Sequence, residues 1–492
     1  MGVSKTGDGL ATAGSCLMLA VVLVGCRGAA EERVVMSAPQ TSTVMVEAPS
    51  LSPAEMRRFE ESFEYVWTTI RDRHWDPEIG GVDWQAVHDE LLPDLRSATS
   101  VDEARGVLVE MLARLGESHF NIVPSEVYED VVYDAGDGSE EGAGNHDDEP
   151  KRAEADGVAG EAKRAEKRRP RAGDGQPGFD VRFLDGQMVV VSVEPDSPAA
   201  RSGVVPGWVI RKIDGRSLER SLQGIETEYS ERGLTALFAR VSTLGRLSGP
   251  IGDRVPVEFL DGKDQPQQLD VELIRPQGEK TRLGHMPAVY ANLSSRWLGD
   301  DVGYISLNVF MDPARTSTAF GAAVQEFMGA KGIIVDLRGN PGGIGAMAMG
   351  LAGWFIDRSD AKLGTMILRG TTLKFVVFPR AEVFAGKLAI LVDECSASTS
   401  EIYAQGMKDL ERARIFGGRT CGAALPSQFE KLPSGDGFQY AIANYVSTGG
   451  IRLEANGVQP DVPVALARAA LLNGEDSVIE AAVDWIREPA TN

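Results

Sequence analysis

The chain is poor in the residues that bind metals and clamp nucleic acids. It has five histidines, His74, His88, His119, His146 and His285, and no His-x-x-x-His pair. Its four cysteines, Cys16, Cys26, Cys395 and Cys421, are widely spaced. Neither set has metal-ligand spacing, so no metal and no cofactor is expected. Basic residues number 50 against 72 acidic ones, a formal net charge of −22. Such a chain lacks the clustered cations that phosphate contacts require, which argues against nucleic-acid binding. Residues 134–178 contain one branched aliphatic residue, Val158, and no aromatic. That stretch cannot bury enough apolar surface to offset its ordering entropy, so 134–177 is expected to be a disordered linker.

What is present is a soluble-protein composition, 43% hydrophobic and 25% charged, in 492 residues, enough for two to four domains. Residues 1–26 read as a targeting segment. Lys5 lies in a short n-region, and Leu10 to Gly25 carries no charge. This is short for a membrane span and suits a signal-peptide h-region. Its ending, Leu23-Val24-Gly25-Cys26, resembles a bacterial lipobox. An ordinary signal peptide is the alternative. The resemblance implies lipidation of Cys26 and a membrane partner reached through that anchor. It places the protein in the cell envelope on the periplasmic face. Arg27, where an aspartate would favour inner-membrane retention, points to the outer membrane. Residues 27–50 then form a polar tether.

Residues 51–133 read as a helical domain, with Phe59, Phe63, Val66, Trp67 and Ile70 on one face and a second helix from Val101 to Leu115. Residues 283–470 alternate strands and helices. Val302–Leu307, Gly332–Asp336 and Leu388–Val392 are apolar runs of strand length, and Thr316 to Met328 and 401–410 read as helices, so this unit is α/β. Residues 471–492 are a C-terminal helix and tail.

Two segments of the α/β unit carry chemistry. The strand at 388–392 leads into Asp393-Glu394-Cys395-Ser396-Ala397-Ser398-Thr399-Ser400-Glu401, at the start of a helix. Unpaired N–H groups at a helix start can hold a developing oxyanion, which a nucleophilic serine needs. The plain alternative is that Ser398-x-x-Glu401 is a capping box. The strand at 332–336 leads into Leu337-Arg338-Gly339-Asn340-Pro341-Gly342-Gly343. Its glycines let the backbone approach a reacting carbonyl, and no Gly-Lys-Ser/Thr follows to make it a phosphate loop. The amides of Gly342, Gly343 and Thr399 are the candidate oxyanion hole.

Together these two segments resemble the S41 serine peptidases, which include the carboxyl-terminal processing and tricorn core proteases. The resemblance spans about residues 55–465 and implies Ser398 as nucleophile. The processing proteases pair the serine with a lysine 25 residues later, and here that position is Ala423. Lys408 and Lys431 are the remaining lysine candidates. The tricorn-like branch uses a histidine from a Leu-Gly-x-Ser-His element and a glutamate from Glu-x-x-Gly-Val-x-Pro-Asp. These match Leu115-Gly116-Glu117-Ser118-His119 and Glu454-Ala455-Asn456-Gly457-Val458-Gln459-Pro460-Asp461. The resemblance thus implies a Ser398–His119–Glu454 triad. Residues 178–280 resemble a bacterial-protease PDZ domain. In that resemblance Gly178, Phe179, Asp180 and Val181 bind a peptide carboxylate, and Trp208 departs from the usual aspartate.

The expected architecture is therefore multidomain α/β, with an N-terminal helical segment, a β-rich PDZ-like domain and an S41-type catalytic domain. The expected function is a serine endopeptidase or processing protease acting on envelope proteins or peptides, through their C-termini. The alternative is a catalytically inactive S41-like binding protein or a PDZ scaffold. An oxidising compartment would permit a Cys395–Cys421 disulfide.

Overall fold

The computed structural model describes residues 51–126, 173–230 and 233–489. The expected targeting segment and tether, the expected lipidation site Cys26 and most of the expected linker lie outside these residues. No helix among them is long and apolar enough to cross a membrane.

The first unit holds helices α1 (Pro53–Arg73), α2 (Trp84–Ser97) and α3 (Val101–Ala113). Helix α1 starts on a capping box. Ser52 N–H donates to Glu55 Oε2 at 2.8 Å, and Glu55 N–H to Ser52 Oγ at 3.3 Å. Phe59, Phe63, Val66 and Ile70 recur at helical spacing and are buried against Leu91, Leu95, Leu108 and Met111. This core does not close on itself. It continues into Leu425, Leu432, Phe438 and Tyr440, more than three hundred residues later in the chain.

The link is a strand. After α3 the chain turns at Gly116 (φ 64°) and enters β1 (Asn121–Val123). Strand β1 pairs antiparallel with residues 437–441, with Asn121 opposite Gln439 and Val123 opposite Gly437. The helical unit is therefore stitched into the α/β unit two residues beyond His119.

The middle unit is a six-stranded antiparallel sheet of β2 (Phe179–Leu184), β3 (Gln187–Val193), β4 (Val209–Ile213), β5 (Arg254–Leu260) and β6 (Pro266–Glu272), in that order, with the two-residue strand Arg216–Ser217 paired to β4 off this path. Helices α4 (Glu219–Tyr229) and α5 (Thr235–Arg246) lie between β4 and β5. The unit begins earlier than its composition suggests. Gly175 N–H bonds Gly249 O at 2.7 Å and Gln176 N–H bonds Ile274 O at 2.8 Å, so the end of the expected linker is part of this body. Trp208 packs into the unit's own core, its ring 5.8 Å from that of Phe259.

The last unit centres on a six-stranded sheet. Its order is β7 (Leu293–Leu298), β8 (Val302–Leu307), β9 (Gly332–Asp336), β10 (Lys387–Val392), β11 (Arg414–Gly417) and β12 (Val462–Pro463). All neighbours from β8 onward are parallel. Alternate residues serve opposite faces. Ile333, Val335, Leu388 and Ile390 enter the core under helices α6 (Pro313–Glu326), α7 (Gly345–Ala352) and α8 (Thr399–Asp409). Ile334, Ala389 and Leu391 enter the core under the C-terminal helix Ser477–Arg487. Both faces are covered, as unbroken apolar runs in a parallel sheet require. The helix at Thr399–Asp409 starts two residues before the expected 401–410, because Ser398 itself is the cap.

The contacts of the middle unit with the α/β unit include three clusters. Arg182 Nε on β2 donates to Asp393 Oδ2 at 2.5 Å. Leu234, Leu237 and Phe238 of the α5 region cover Cys395, Ala397, Cys421 and Ala423. Arg468 donates to Gly207 O at 2.8 Å and to Asp261 O at 2.9 Å. Cys395 and Cys421 are both buried and free, so the expected option of a disulfide is not taken in this structure.

Candidate active site

Strands β9 and β10 are adjacent and parallel, so the two motif loops leave the same sheet edge side by side. Ligand sites in α/β sheets lie at such carboxyl ends. The loop after β10 is held by Asp393. Its Oδ1 accepts from Gly339 N–H at 2.8 Å and Cys395 N–H at 3.0 Å. Arg182 holds its pKa down by charge and hydrogen bonding, against the opposing effect of burial. The loop after β9 is held by Asn340, wholly buried, whose Nδ2 donates to Leu307 O at 2.7 Å and whose Oδ1 accepts from Gly342 N–H at 2.9 Å.

Ser398 stands between the end of β10 and the start of α8 with φ 54° and ψ −116°. A non-glycine residue rarely takes positive φ, and such strain concentrates where a side chain must be presented at a fixed angle. Gly342 explains why glycine is needed opposite. A Cβ there would lie 2.7 Å from Ser398 Cβ and 2.9 Å from Thr399 N. Of the three candidate oxyanion amides, Gly342 N–H is already given to Asn340. Gly343 N–H and Thr399 N–H have no acceptor among the described residues. Those two remain available to a ligand, and Gly342 serves as the space beside Ser398. Thr399 Oγ1 donates to Gly343 O at 2.7 Å and ties the two loops at that point.

His119 has positive φ (64°) and is 4% exposed. Its Nδ1 lies 2.6 Å from Ser118 Oγ. Ser118 Oγ in turn donates to Glu454 Oε2 at 2.8 Å, and Ser118 N–H donates to Glu454 Oε1 at 2.8 Å. Glu454 therefore reaches His119 through a serine hydroxyl and not directly. With the hydroxyl proton on Glu454, Nδ1 carries its own proton and Nε2 is the unprotonated nitrogen. His119 Nε2 is buried and has no hydrogen-bond partner, Ser398 Oγ included. Burial pushes the imidazole down to about 3, so it is neutral and able to accept a proton. Catalytic hydrogen bonds are often long before substrate arrives.

The segment from Gly422 to Ala424 joins the two halves. Ser398 N–H donates to Ala423 O at 2.8 Å, and Ala424 N–H donates to Glu454 Oε2 at 3.0 Å. Ser398 and Glu454 thus sit on the same short strip of backbone. Burial raises Glu454 above the ordinary carboxylate range, while Ser118 and Ala424 pull it back. Ala423, at the lysine position, is buried and faces Leu234, Leu237 and Phe238. Lys408 is bound elsewhere, to Gln459 O at 2.7 Å and Asp461 Oδ1 at 2.8 Å. Lys431 is exposed at the end of its strand, residues 427–431.

Gly178, Phe179, Asp180 and Val181 open strand β2, Gly178 with φ 73°. Val181 N–H is taken by Asp180 Oδ1 at 2.8 Å. The Asp180 carboxylate pairs with Arg182 at 2.7 Å and Arg240 at 2.9 Å, and these two cations hold its pKa far down despite burial. Sequence reasoning missed Ser118 as a bridge, although it was in the quoted Ser-His element. It also took Glu401 only as a cap, and gave Asn340 and Arg182 no role.

Residues 301–464 match the family model for peptidase family S41, and residues 57–113 match that of the tricorn protease C1 domain. The chain is 22% identical over 410 residues to carboxyl-terminal-processing peptidase 3 of Arabidopsis thaliana, covering 83% of this chain and 69% of the relative. It is 28% identical over 304 residues to the carboxyl-terminal-processing protease of Synechocystis, covering 61% and 65%. It spans 52% of a probable CtpA-like serine protease of Staphylococcus haemolyticus, at 25% identity over 58% of its own length. Among solved structures, the photosystem II D1 C-terminal processing protease superposes with a TM-score of 0.52 at 18% identity, over 87% of this chain and 99% of that one. Mature CPAF complexed with lactacystin gives 0.52 at 14% identity, over 88% and 98%. The chain therefore carries a peptidase family S41 domain at residues 301–464 and a tricorn protease C1 domain at residues 57–113.

Proposed function

We propose that this chain hydrolyses peptide bonds by acyl transfer through Ser398, with His119 as the base in place of a lysine. The observation that carries the reading is the Glu454–Ser118–His119 chain, which ends on an unpartnered Nε2. Nε2 takes the Ser398 hydroxyl proton as Oγ attacks the scissile carbonyl. Ser118 and Glu454 hold the tautomer and compensate the imidazolium, and the proton passes to the leaving amine. Gly343 and Thr399 amides receive the oxyanion. Water then attacks the acyl-enzyme by the same route in reverse.

The substrate class in this reading is a protein or peptide of the cell envelope, met by a lipid-anchored enzyme on the periplasmic face. The PDZ-like reading of residues 178–280 adds capture of a peptide C-terminus near Gly178–Val181. Val181 N–H is committed to Asp180, and Phe179 and Asp180 lie opposite Val193 and Ser192 of β3, so the Gly178 turn is the place to test. The rival reading is an S41-like binding protein without catalysis. Support against it comes from the bridge at Ser118, which a pure binding cleft does not need. A fluorophosphonate probe decides between them. Wild type should label at Ser398 and Ser398→Ala should not. An unlabelled wild type would favour the binding protein.

A further inference from the structure

Glu401 is buried in full and lies at the third position of α8, where a carboxylate normally caps a helix from the surface. Here it makes four contacts, all with donors. Its Oε2 accepts from Ser398 N–H at 2.9 Å and Ala423 N–H at 3.1 Å. Its Oε1 accepts from Thr420 Oγ1 at 2.6 Å and Gly422 N–H at 2.8 Å. The next amide along the strip, Ala424 N–H, goes to Glu454 Oε2. Three consecutive amides therefore hold two buried carboxylates, one on the nucleophile's helix and one on the base's relay. In the lysine-bearing pattern position 423 would carry a side-chain cation. This chain has only backbone there.

We propose that Glu401 is a positioning residue whose ionised carboxylate clamps the 420–423 segment against Ser398, and through that strip sets the spacing between Ser398 and Glu454. This rests on the acyl-transfer reading of the site. A helix cap needs only the Ser398 N–H contact, and the three bonds to 420, 422 and 423 exceed that role. Each oxygen already accepts two donors, so a proton on either would face an N–H or O–H and open the clamp. Protonation is within reach. Burial raises the Glu401 carboxyl to about 7, opposed by its bonds to Thr420, Gly422 and Ser398, with Glu454 adding to the rise. The other titratable group against it is the Cys421 thiol, itself pushed up by burial and neutral. His119, held down at about 3, does not titrate in that range.

The clamp predicts a rate that falls on acidification through about pH 7, with Thr420 setting the midpoint. Thr420→Val removes a bond that lowers the Glu401 pKa, so the acid limb of kcat/KM moves to higher pH. Thr420→Ser keeps the hydroxyl and returns the limb. Glu401→Gln sets an amide against four donors, and kcat should drop by about 100-fold with KM little changed and the limb gone. The same titration is followed without catalysis by 13C NMR of glutamate-labelled protein, with the Glu401 carboxyl identified by its absence in Glu401→Gln or by its movement in Thr420→Val. A carboxyl midpoint near 7 that rises in Thr420→Val supports the clamp. A carboxyl midpoint and an acid limb both indifferent to Thr420→Val, or an unchanged kcat in Glu401→Gln, overturn it. Failure of wild type to label with fluorophosphonate would remove the peptidase reading instead, and the NMR titration would still decide the clamp.

Discussion

Ser398 and Ala423 are joined backbone to backbone, N–H to carbonyl at 2.8 Å, at the position where the lysine-dependent S41 pattern has its base. The contact is made by backbone alone, so it does not depend on the side chain at 423. The Ala423 methyl points into an apolar patch made by Leu234, Leu237 and Phe238, so the place of a cation is filled by the α5 region of the middle unit. Ala423→Lys would drive a long side chain into that patch. Overpacking alone costs about 1–3 kcal/mol, and a buried ammonium adds to it unless it loses its proton. The expected result is a lower melting temperature with no gain in labelling rate, and at most partial rescue of His119→Ala. Full rescue would show that a lysine dyad is geometrically intact here.

Ser118 is the residue on which the relay depends. Removing its hydroxyl leaves His119 Nδ1 and Glu454 Oε2 without their shared partner, and the imidazole tautomer is no longer set. In a related arrangement, loss of the orienting group costs on the order of 10⁴-fold in kcat, and 10²–10⁴-fold is the expected range for Ser118→Ala. KM should change little, since the Ser118 N–H and hydroxyl are both given to Glu454. Ser118→Thr, which keeps the hydroxyl, should restore most of the rate. Equal kcat in Ser118→Ala and wild type would show that Glu454 does not act through it.

His119 and Glu401 pull stability in opposite directions with pH. His119 is held at about 3 in the fold against 6.5 when unfolded, so its neutral burial is fully tolerated above 6.5 and becomes a penalty as pH falls toward 3. Glu401 is raised to about 7 against 4.5, so its contribution is present below 4.5 and lost as pH rises through 7. Between pH 4.5 and 6.5 the two offset each other. His119→Gln removes one side of that balance. Relative to wild type the variant should gain stability progressively as pH falls from 6.5, by several kcal/mol if the whole shift is realised. Denaturant midpoints at a series of pH values read this directly. Parallel stability curves would mean that His119 is not buried neutral.

Much of this site was readable before any coordinates. Asp336-Leu337-Arg338 and Ser396-Ala397-Ser398 follow apolar runs whose length and flanks identify buried parallel strands, and adjacency of such strands brings their loops together. Ser118-His119 and Glu454 are far apart in sequence, and only the motif resemblance joined them. Their meeting depends on β1 pairing with residues 437–441, a three-residue strand that leaves no periodic signal. The bridge by Ser118 was not legible because a serine beside a histidine has many uses, and only the 2.6 and 2.8 Å contacts select one. Gly342 was assigned as a donor on the general habit of glycine loops. The competing acceptor, Asn340 Oδ1, lies two residues away and its direction is a matter of rotamer, which composition does not reveal. Glu401 looked like a surface cap because nothing in Ser-x-x-Glu tells whether another segment lies over it.

The central claim is that His119, and no lysine, takes the proton from Ser398. Fluorophosphonate acylation of the full chain tests it most directly, with rates measured for wild type, Ser398→Ala and His119→Ala at pH 8, where Glu401 is ionised. The account predicts labelling of wild type at Ser398, none in Ser398→Ala, and a rate for His119→Ala reduced by several orders of magnitude in a variant that still unfolds cooperatively. Acylation of folded His119→Ala at the wild-type rate would contradict it.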